Sequence, residues 1–371
     1  MNADKEVLVL EKTDRLGGCI ESQCYDGIIL EYGTHTLYRS YTSCYDLLSE
    51  RFRSTHCFPS PKFRYFVDDK GSLTAFWRQF SLWSLFSLLK VLFVPREDRT
   101  LSSYFVSVFG QKTYENLFNP AFDALYCQPS AYYPLALLFK KRVRNRLKEM
   151  PKAFCYQGGM EAVIGDIASS VDYRLNQTIT AVKYDGHYYL LYTNEQAMEP
   201  AYTCKTLAIA TTATEAMRLL SGVDITDDLP IIVPAKFASM SLVYQSKNYL
   251  PDSGLIGWKN ALFSAIFARR PPGVVSDYQG VTCHYRNSDI SDEDALNIAC
   301  RVLKIDRSAI ISWSRKQNQV PALRVHHLAE IRMLSETLPS TLALLGNYFG
   351  GFSIEDCVRR SQEEFHRMFA V

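Results

Sequence analysis

Continuous apolar runs followed by glycine turns stand near both ends of the chain. Val7 to Leu10 are apolar without alternation, which predicts a strand buried on both faces. The run ends in Glu11, and two glycines follow within residues 14–18. Near the other end the pattern predicts a strand, a glycine loop and a helix, over residues 342–345, 346–351 and 354–369. This order is typical of an α/β sheet.

The stretch from 76 to 150 is mainly helical in its periodicity, with several prolines as breakers. Its most apolar part, residues 76–94, carries two tryptophans and has Arg78 and Lys90 near its ends. A helix that is apolar nearly all round is either buried, in the core or a substrate channel, or lies in a bilayer interface. Both interpretations stay open. No stretch has the roughly eighteen uninterrupted apolar residues of a membrane span.

The remaining segments alternate between strand and helix signals. Asp26-Gly27 predicts a hairpin over residues 19–30, and helical periodicity appears over 45–52. Residues 63–75 predict two strands around a turn at Asp68 to Gly71. After residue 150, the patterns predict strands and helices over 160–170, 176–183, 188–193, 206–210, 212–220 and 292–303. The sequence therefore predicts an α/β fold, with a nucleotide-binding domain assembled from separated segments and other domains inserted between them.

Composition narrows the class of protein. The 371 residues are 47% hydrophobic and 22% charged, which is ordinary for a globular chain, and a net charge of +2 gives no field to recruit nucleic acid. The ten cysteines show no Cys-x-x-Cys pair and no zinc-site spacing, so we expect reduced thiols and no metal. The first residues do not form a signal peptide. The expected location is the cytoplasm.

Glu11 stands where a dinucleotide fold places a carboxylate to accept hydrogen bonds from ribose hydroxyls. Arg15, Gly17 and Gly18 could bring a cation and backbone amides to a pyrophosphate. The alternative is an ordinary turn after a buried strand, with a solvated Glu11. Spacing alone does not decide between them.

The C-terminal glycine loop suits a planar ring. Gly351 and its neighbour Gly350 would let the backbone approach such a ring closely, and Ser353 with Asp356 makes a capping pattern for the next helix. A helix N-terminus at the ring would stabilise negative charge on it. The structural alternative is a capped helix after a glycine turn.

These segments resemble, in order along nearly the whole chain, the FAD-dependent superfamily of amine oxidases, phytoene desaturases and protoporphyrinogen oxidases. Residues 9–18 resemble the segment after its first βαβ unit, 31–35 an acidic-x-Gly stretch near the flavin, and 156–160 a glycine-pair loop. Three blocks are similar to the protoporphyrinogen oxidase branch in particular, namely residues 257–273, 319–326 and 345–357.

The resemblance implies a domain plan and a set of site residues. It implies a Rossmann-like FAD-binding domain of the glutathione reductase type (1–50, 155–225, 335–371), a mixed-sheet substrate domain (51–75, 226–334) and a helical insertion (76–154). The implied FAD-binding residues are Glu11, Arg15, Gly17, Gly18, Glu31, Gly33, Thr34, Val182, Gly346, Asn347, Gly351, Ser353 and Ile354. No side chain is assigned as catalytic. Arg78 is a candidate for the substrate propionates, against a snorkelling arginine, and His35 is interpreted as structural.

The implied reaction is oxidation of protoporphyrinogen IX or coproporphyrinogen III to the porphyrin in heme biosynthesis. Hydride passes to flavin N5, pyrrole protons leave, and oxygen or another acceptor takes the electrons. The apolar segment 76–94 leaves open a further expectation, namely that the protein contacts the inner face of the cell membrane. The alternatives are another flavin amine oxidase or carotenoid desaturase, or a non-catalytic remnant.

No Gly-x-Gly-x-x-Gly turn occurs in the 371 residues. In the family that turn follows the strand before the one ending at Glu11. Without this strand we expect a split parallel sheet and weak FAD binding. Two interpretations compete: a start internal to a longer protein, which we favour, and a truncated member.

Overall fold

The computed structural model describes most of the chain. The described residues are 6–33, 36–55, 57–60, 64–69, 72–75, 87–140, 147–194, 196–223, 230–245, 253–257, 262–269 and 277–369.

Nineteen strands are formed within the described residues. They are Leu8–Leu10 (β1), Ser22–Tyr25 (β2), Ile28–Glu31 (β3), Leu37–Tyr38 (β4), Cys57–Pro59 (β5), Arg64–Asp69 (β6), Ser72–Ala75 (β7), Ala153–Tyr156 (β8), Asp172–Arg174 (β9), Ala181–Tyr184 (β10), Tyr189–Tyr192 (β11), Tyr202–Cys204 (β12), Leu207–Ile209 (β13), Pro234–Gln245 (β14), Ser253–Gly257 (β15), Phe263–Arg269 (β16), Tyr278–Tyr285 (β17), Ile310–Pro321 (β18) and Leu342–Leu344 (β19).

The described α-helices are Thr42–Leu47 (α1), Glu50–Thr55 (α2), Leu101–Phe109 (α3), Gln111–Thr113 (α4), Asn119–Tyr126 (α5), Leu135–Leu138 (α6), Gly159–Ala168 (α7), Ala213–Leu220 (α8), Asp292–Leu303 (α9), Val325–Thr337 (α10) and Ile354–Phe369 (α11). A π-helical stretch, Tyr114–Phe118, joins α4 to α5, and 3₁₀ turns cover Ser87–Leu92 and Arg307–Ala309. Searching the described helices finds none of the length and apolarity that a membrane crossing requires.

Four short strands outside the large sheet form two separate parallel pairs. β1 pairs with β9 and β13 pairs with β19, both in parallel register. Among the described strands, none joins one pair to the other, which confirms the expected split sheet. The prediction that the first strand is buried on both faces is wrong, because Val7, Leu8 and Val9 are 58%, 41% and 39% exposed. With one neighbouring strand among the described residues, β1 has too little structure around it to cover these side chains.

A seven-stranded mixed sheet forms the largest β-structure. Its order is β18-β14-β17-β16-β15-β6-β7, and every pair is antiparallel except β15 with β6. One face of the sheet packs against α9 in an apolar core, where the Tyr285 hydroxyl donates to the Ala295 carbonyl over 2.7 Å. Ser291 caps α9 as predicted, since its hydroxyl accepts from the Asp294 amide over 3.1 Å. The opposite face turns toward hairpin β2-β3, where Gly280 lies against Ile28 and Leu30.

The helical segment shares its core with the parallel strands. Tyr104 and Leu135 of this segment are buried in one cluster with Val182, Ile209 and Leu344. The α/β class predicted from the sequence is therefore confirmed. The single helix suggested by periodicity over 45–52 is instead two short helices, α1 and α2, because the chain becomes extended at Leu48.

Candidate functional site

The end of β1 forms a closed turn. Glu11 accepts hydrogen bonds from the backbone amide and the hydroxyl of Thr13, both over 2.9 Å. Its carboxylate thus stands at the strand end, as the sequence predicts, and is held by its own turn. The position suits ribose recognition, which would require the carboxylate to accept from ribose hydroxyls in addition to or instead of Thr13.

Arg15 organises the glycine loop that follows. Its guanidinium donates to the carbonyls of Leu16 over 3.0 Å and Ile20 over 2.9 Å, and it pairs with Glu21 at 2.5 Å. Gly17 has φ 103°, and a Cβ there would lie 2.8 Å from the Ile20 carbonyl oxygen. The loop therefore needs glycine for its own geometry. In this arrangement the Arg15 guanidinium is hydrogen-bonded within the loop, whereas the sequence predicts that it faces a pyrophosphate.

Glu31 is buried at the N-terminus of α7, with 4% of its surface exposed. It accepts from the Ser22 hydroxyl over 2.7 Å and from the Met160 backbone amide over 2.9 Å. Gly159 has φ 79°, and a Cβ there would lie 2.4 Å from the Ser22 hydroxyl oxygen. The acidic-x-Gly stretch and the glycine pair predicted near the cofactor are thus joined by a buried carboxylate at a helix N-terminus.

The C-terminal loop is closed by a capping pair and a lysine. The Ser353 hydroxyl accepts from the Asp356 amide over 3.1 Å and donates to its carboxylate over 2.7 Å, which confirms the predicted cap of α11. Lys140 pairs with Asp356 at 2.8 Å and donates to the Gly350 carbonyl. Gly351, with φ 116°, leaves the space that the Lys140 ammonium occupies. A side chain at this glycine would displace Lys140.

Glu355 ties the same helix to α1. It is buried, and its carboxylate accepts from the backbone amides of Ser43 over 3.1 Å and Cys44 over 2.9 Å. Burial raises the pKa of the Cys44 thiol to about 12, so this thiol stays protonated beside the carboxylate. Sequence reasoning missed both Glu355 and Lys140. Their partners are too distant along the chain to leave a local signal.

Asn347 lines a small cleft at the carboxyl ends of β13 and β19. The other lining residues come from the start of α8, the segment before β14 and the seven-stranded sheet, and they are Thr212, Ala213, Thr214, Ile232, Pro234, Gln319, Val320 and Pro321. None of these described lining residues is an acid or a base. Nearby, Tyr348 is buried, and its hydroxyl has no hydrogen-bond partner among the described residues. We call the space lined by Asn347 and these eight residues the Asn347 cleft.

The structure brings several of the predicted residues together. A Cβ on Gly33 would lie 2.6 Å from the Cys19 carbonyl oxygen, so the loop after Gly18 touches the end of β3. Ile20 and Ile354 pack in one apolar cluster with Met160. Val182 is buried in β10, in the other core. Thr34, His35 and Arg78 lie outside the described residues, so their predicted roles stay predictions.

The chain fits FAD in part. A strand-end carboxylate is in place for a ribose, and a glycine loop before a capped helix is in place for the flavin ring. Position 350 leaves open space where a side chain would stand. A Gly-x-Gly-x-x-Gly turn for the diphosphate does not occur in the 371 residues. Candidate residues for the two ends of the cofactor are thus present, and the turn that would hold its middle is not among them.

Two histidines and a glutamate approach one another on α10. Ligand atoms of His326, His327 and Glu330 lie within 4.8 Å. The His327 Nδ1 accepts from the Arg324 backbone amide over 3.1 Å, so the neutral ring carries its proton on Nε2. A metal at Nε2 would require that proton to leave while the cap is kept. The capping bond accounts for His327 as a structural residue.

All ten cysteines are free. Burial raises the pKa of Cys357, in the capped helix near the glycine loop, to about 11, and that of Cys127 to about 12. Both thiols are therefore protonated at neutral pH and are not activated nucleophiles.

Comparison with known proteins shows which family the chain resembles. The model of flavin-containing amine oxidoreductases matches residues 1–220. A protein from Exiguobacterium sp. 255-15, provisionally named a protoporphyrinogen oxidase, is similar over 97% of this chain and 93% of its own, with TM-score 0.72 and 16% identity. No curated protein sequence matches the chain.

Other similar structures have different activities in their names. Cyclohexylamine oxidase from Brevibacterium oxydans IH-35A covers 97% of this chain and 92% of its own, with TM-score 0.68 and 13% identity. A fatty acid isomerase from P. acnes that produces CLA is similar over 98% of this chain and 92% of its own, with TM-score 0.70 and 14% identity. At these identities the likeness concerns the fold alone.

Proposed function

The chain belongs to the flavin-containing amine oxidoreductase family, its cofactor is FAD, and we propose that within this family it oxidises a porphyrinogen to the porphyrin. The substrate is protoporphyrinogen IX or coproporphyrinogen III, and the pathway is heme biosynthesis. When bound, FAD supplies a hydride acceptor at N5 that oxygen or another acceptor then re-oxidises.

The observation that carries the proposal is the meeting of two sequence blocks at the Asn347 cleft. Gln319, Val320 and Pro321 come from one block that is similar to the protoporphyrinogen oxidase branch, and Asn347 comes from another. These blocks are far apart in the sequence, yet they line one space beside the glycine loop. Such convergence supports a shared task at the site.

The chemistry of the cleft agrees with a substrate that needs no strong base. A porphyrinogen is an electron-rich hydride donor, and its product is aromatic. The described residues that line the Asn347 cleft contain amides, hydroxyls and apolar groups, and no carboxylate or imidazole. The role of these residues is to bind and orient the porphyrinogen and to exclude water from it.

Aromatic side chains adjoin the glycine loop. Phe352 follows Gly351 directly, and its ring centroid lies 5.7 Å from that of Tyr126, which stacks on Tyr133 at 4.1 Å. From Tyr126, ring contacts continue through Phe122 to Phe105. Tyr126, Tyr133 and Phe105 are buried in the main core, and Phe352 packs against it, so these rings fix the position of the glycine loop.

The test is porphyrin formation by the purified chain in excess FAD, followed by porphyrin fluorescence. We expect FAD-dependent oxidation of coproporphyrinogen III or protoporphyrinogen IX, corrected for spontaneous oxidation, and no hydrogen peroxide from cyclohexylamine or putrescine. Amine oxidation without porphyrin formation would replace the proposal with an amine oxidase. Activity toward neither substrate class, with FAD bound, would contradict the proposal.

A further inference from the structure

Arg324 holds a half-buried guanidinium that no acid neutralises within the described part of the chain. Its guanidinium carbon lies 4.9 Å from the ring centroid of Tyr132, and its guanidinium N–H groups donate to no described acceptor. By contrast, Arg360 and Arg367 share the buried carboxylate of Glu364. A cation taken partly out of water needs an anion or hydrogen-bond acceptors, so an unpaired guanidinium of this kind indicates a place for a ligand anion.

The segment that carries Arg324 continues directly from the lining of the Asn347 cleft. Pro321 lines the cleft, and Arg324 follows it by three residues. The Pro321 carbonyl accepts from the side-chain amide of Gln128 over 3.1 Å. Gln128 in turn stands four residues before Tyr132. The arginine and the tyrosine therefore belong to two segments that are joined by a buried hydrogen bond at the cleft lining.

An exposed apolar residue adjoins the same segment. Val233 is 66% exposed and lies between Ile232 and Pro234, which both line the Asn347 cleft. Its carbonyl accepts from the backbone amide of Ala322 over 3.1 Å, so Val233 stands beside the segment between Pro321 and Arg324. A cation, an aromatic ring and an apolar side chain are thus held next to the cleft. This combination suits a ligand that has an apolar body and a carboxylate.

We propose that Arg324, held over the ring of Tyr132, binds a carboxylate of the substrate whose ring system enters the Asn347 cleft. The inference rests on the proposed function, since a porphyrinogen carries propionate groups on an apolar macrocycle. The planar guanidinium can take a carboxylate through two parallel N–H···O bonds, and the contact with Tyr132 holds it in place before the ligand arrives. The same cation repels a protonated amine. Arg324 is assigned independently of Arg78, which lies outside the described residues.

Binding of the product porphyrin to the full chain tests the assignment without turnover. The probes are coproporphyrin III and its methyl ester, in which every carboxylate is blocked, and the quenching of protein fluorescence gives the dissociation constant. We expect the parent chain to bind the free acid more tightly than the ester. Arg324→Gln should weaken binding of the free acid about tenfold and leave binding of the ester unchanged. Arg324→Lys should restore part of the loss, because it keeps the charge without the planar fork.

The matched control is Arg332→Gln, which removes an exposed arginine from the same helix, α10, and should leave both affinities unchanged. Circular dichroism and thermal unfolding establish that each variant is folded.

The oxidation assay separates this inference from the proposed function. Arg324→Gln should raise KM for the porphyrinogen about tenfold with little change in kcat, because the carboxylate is bound alike in the ground state and the transition state. Equal affinity of the parent chain and the folded Arg324→Gln variant for the free acid, or an equal loss for acid and ester, would overturn the inference. Porphyrin formation by the parent chain, with KM unchanged in the variant, would overturn it and leave the proposed function standing. A parent chain that neither binds the porphyrin nor oxidises the porphyrinogen would overturn both.

Discussion

At the scale of single residues, Gly159 shows how closely hairpin β2-β3 packs against the N-terminus of α7. A Cβ there would lie 2.4 Å from the Ser22 hydroxyl oxygen and 2.9 Å from a Glu31 carboxylate oxygen, and φ is 79°. Gly159→Ala should therefore lower the free energy of unfolding by about 2–4 kcal/mol, through strain and loss of the Glu31 contacts. Urea denaturation measures the change.

Gly165 in the same helix provides the matched control. It has open space at its Cβ position and an ordinary helical φ. Gly165→Ala should raise the free energy of unfolding by about 0.5–1 kcal/mol, because alanine loses less backbone entropy on folding. If both variants change stability equally, the close packing at Gly159 is not what fixes this residue.

His284 makes the stability of the seven-stranded sheet depend on pH. It is buried, its Nδ1 lies 2.8 Å from the Ser239 hydroxyl oxygen, and burial lowers its pKa from 6.5 to about 4. Between these pH values the unfolded chain binds a proton that the folded chain does not bind. The contribution of the neutral ring is therefore complete above about pH 6.5 and is lost as pH falls toward 4, by about 3 kcal/mol in total.

The pH dependence of urea unfolding for His284→Gln checks this prediction. Glutamine does not titrate, so the stability difference between variant and parent should change by about 3 kcal/mol over that range. A constant difference from pH 7 to pH 4 would contradict the assignment to His284.

At the scale of elements, α11 is bound to β19 by a buried ion cluster. Glu364, 2% exposed, pairs with Arg360 at 2.9 Å and Arg367 at 2.6 Å. Arg367 also donates to the Leu342 carbonyl, and Arg360 to the Leu344 carbonyl over 3.2 Å. Burial lowers the Arg360 pKa. The acid therefore compensates two cations that hold a helix against the end of a parallel strand.

Glu364→Gln should cost about 3 kcal/mol of unfolding free energy, because it leaves the arginines without their carboxylate. The exposed neighbour Glu363 offers the control, and Glu363→Gln should change stability by less than about 0.5 kcal/mol. Chemical denaturation of the two isosteric variants gives the comparison. A similar cost for both would mean that the cluster does not hold α11.

Elements with local signals were predictable from the sequence. The turn at Asp26-Gly27 adopts positive φ at both residues, and Ser353 caps α11 through Asp356. The strand predicted over 176–183 is formed only from Ala181, and Asn176 takes a left-handed φ of 56° that no strand residue adopts. Apolar pattern alone did not show that break.

The contacts that assemble the site were not predictable, because they join distant residues. The bond from Met160 to Glu31 spans 129 positions, and the bond from Ser43 to Glu355 spans 312. Glu31 was predicted from the resemblance as a cofactor residue, and its protein partners emerged only from the fold. The family and its cofactor were recognisable because their motifs are short and ordered along the chain.

At the scale of the whole molecule, we expect the split parallel sheet to limit cofactor binding. The two pairs β1-β9 and β13-β19 carry the candidate ribose and ring ends, and these 371 residues contain no glycine turn for the diphosphate. We expect weak FAD binding, so that gel filtration after incubation with FAD leaves little visible flavin absorbance. Stoichiometric retention of FAD by this chain would contradict that expectation.

Anaerobic mixing of the chain, in excess FAD, with coproporphyrinogen III or protoporphyrinogen IX tests the proposed function most directly. The measured quantity is the loss of visible absorbance of the protein-bound flavin, against FAD without protein and against cyclohexylamine as substrate. The account predicts rapid bleaching by a porphyrinogen with simultaneous appearance of porphyrin absorbance, and no bleaching by the amine. Bleaching by the amine alone, or none beyond that of free FAD, would contradict it.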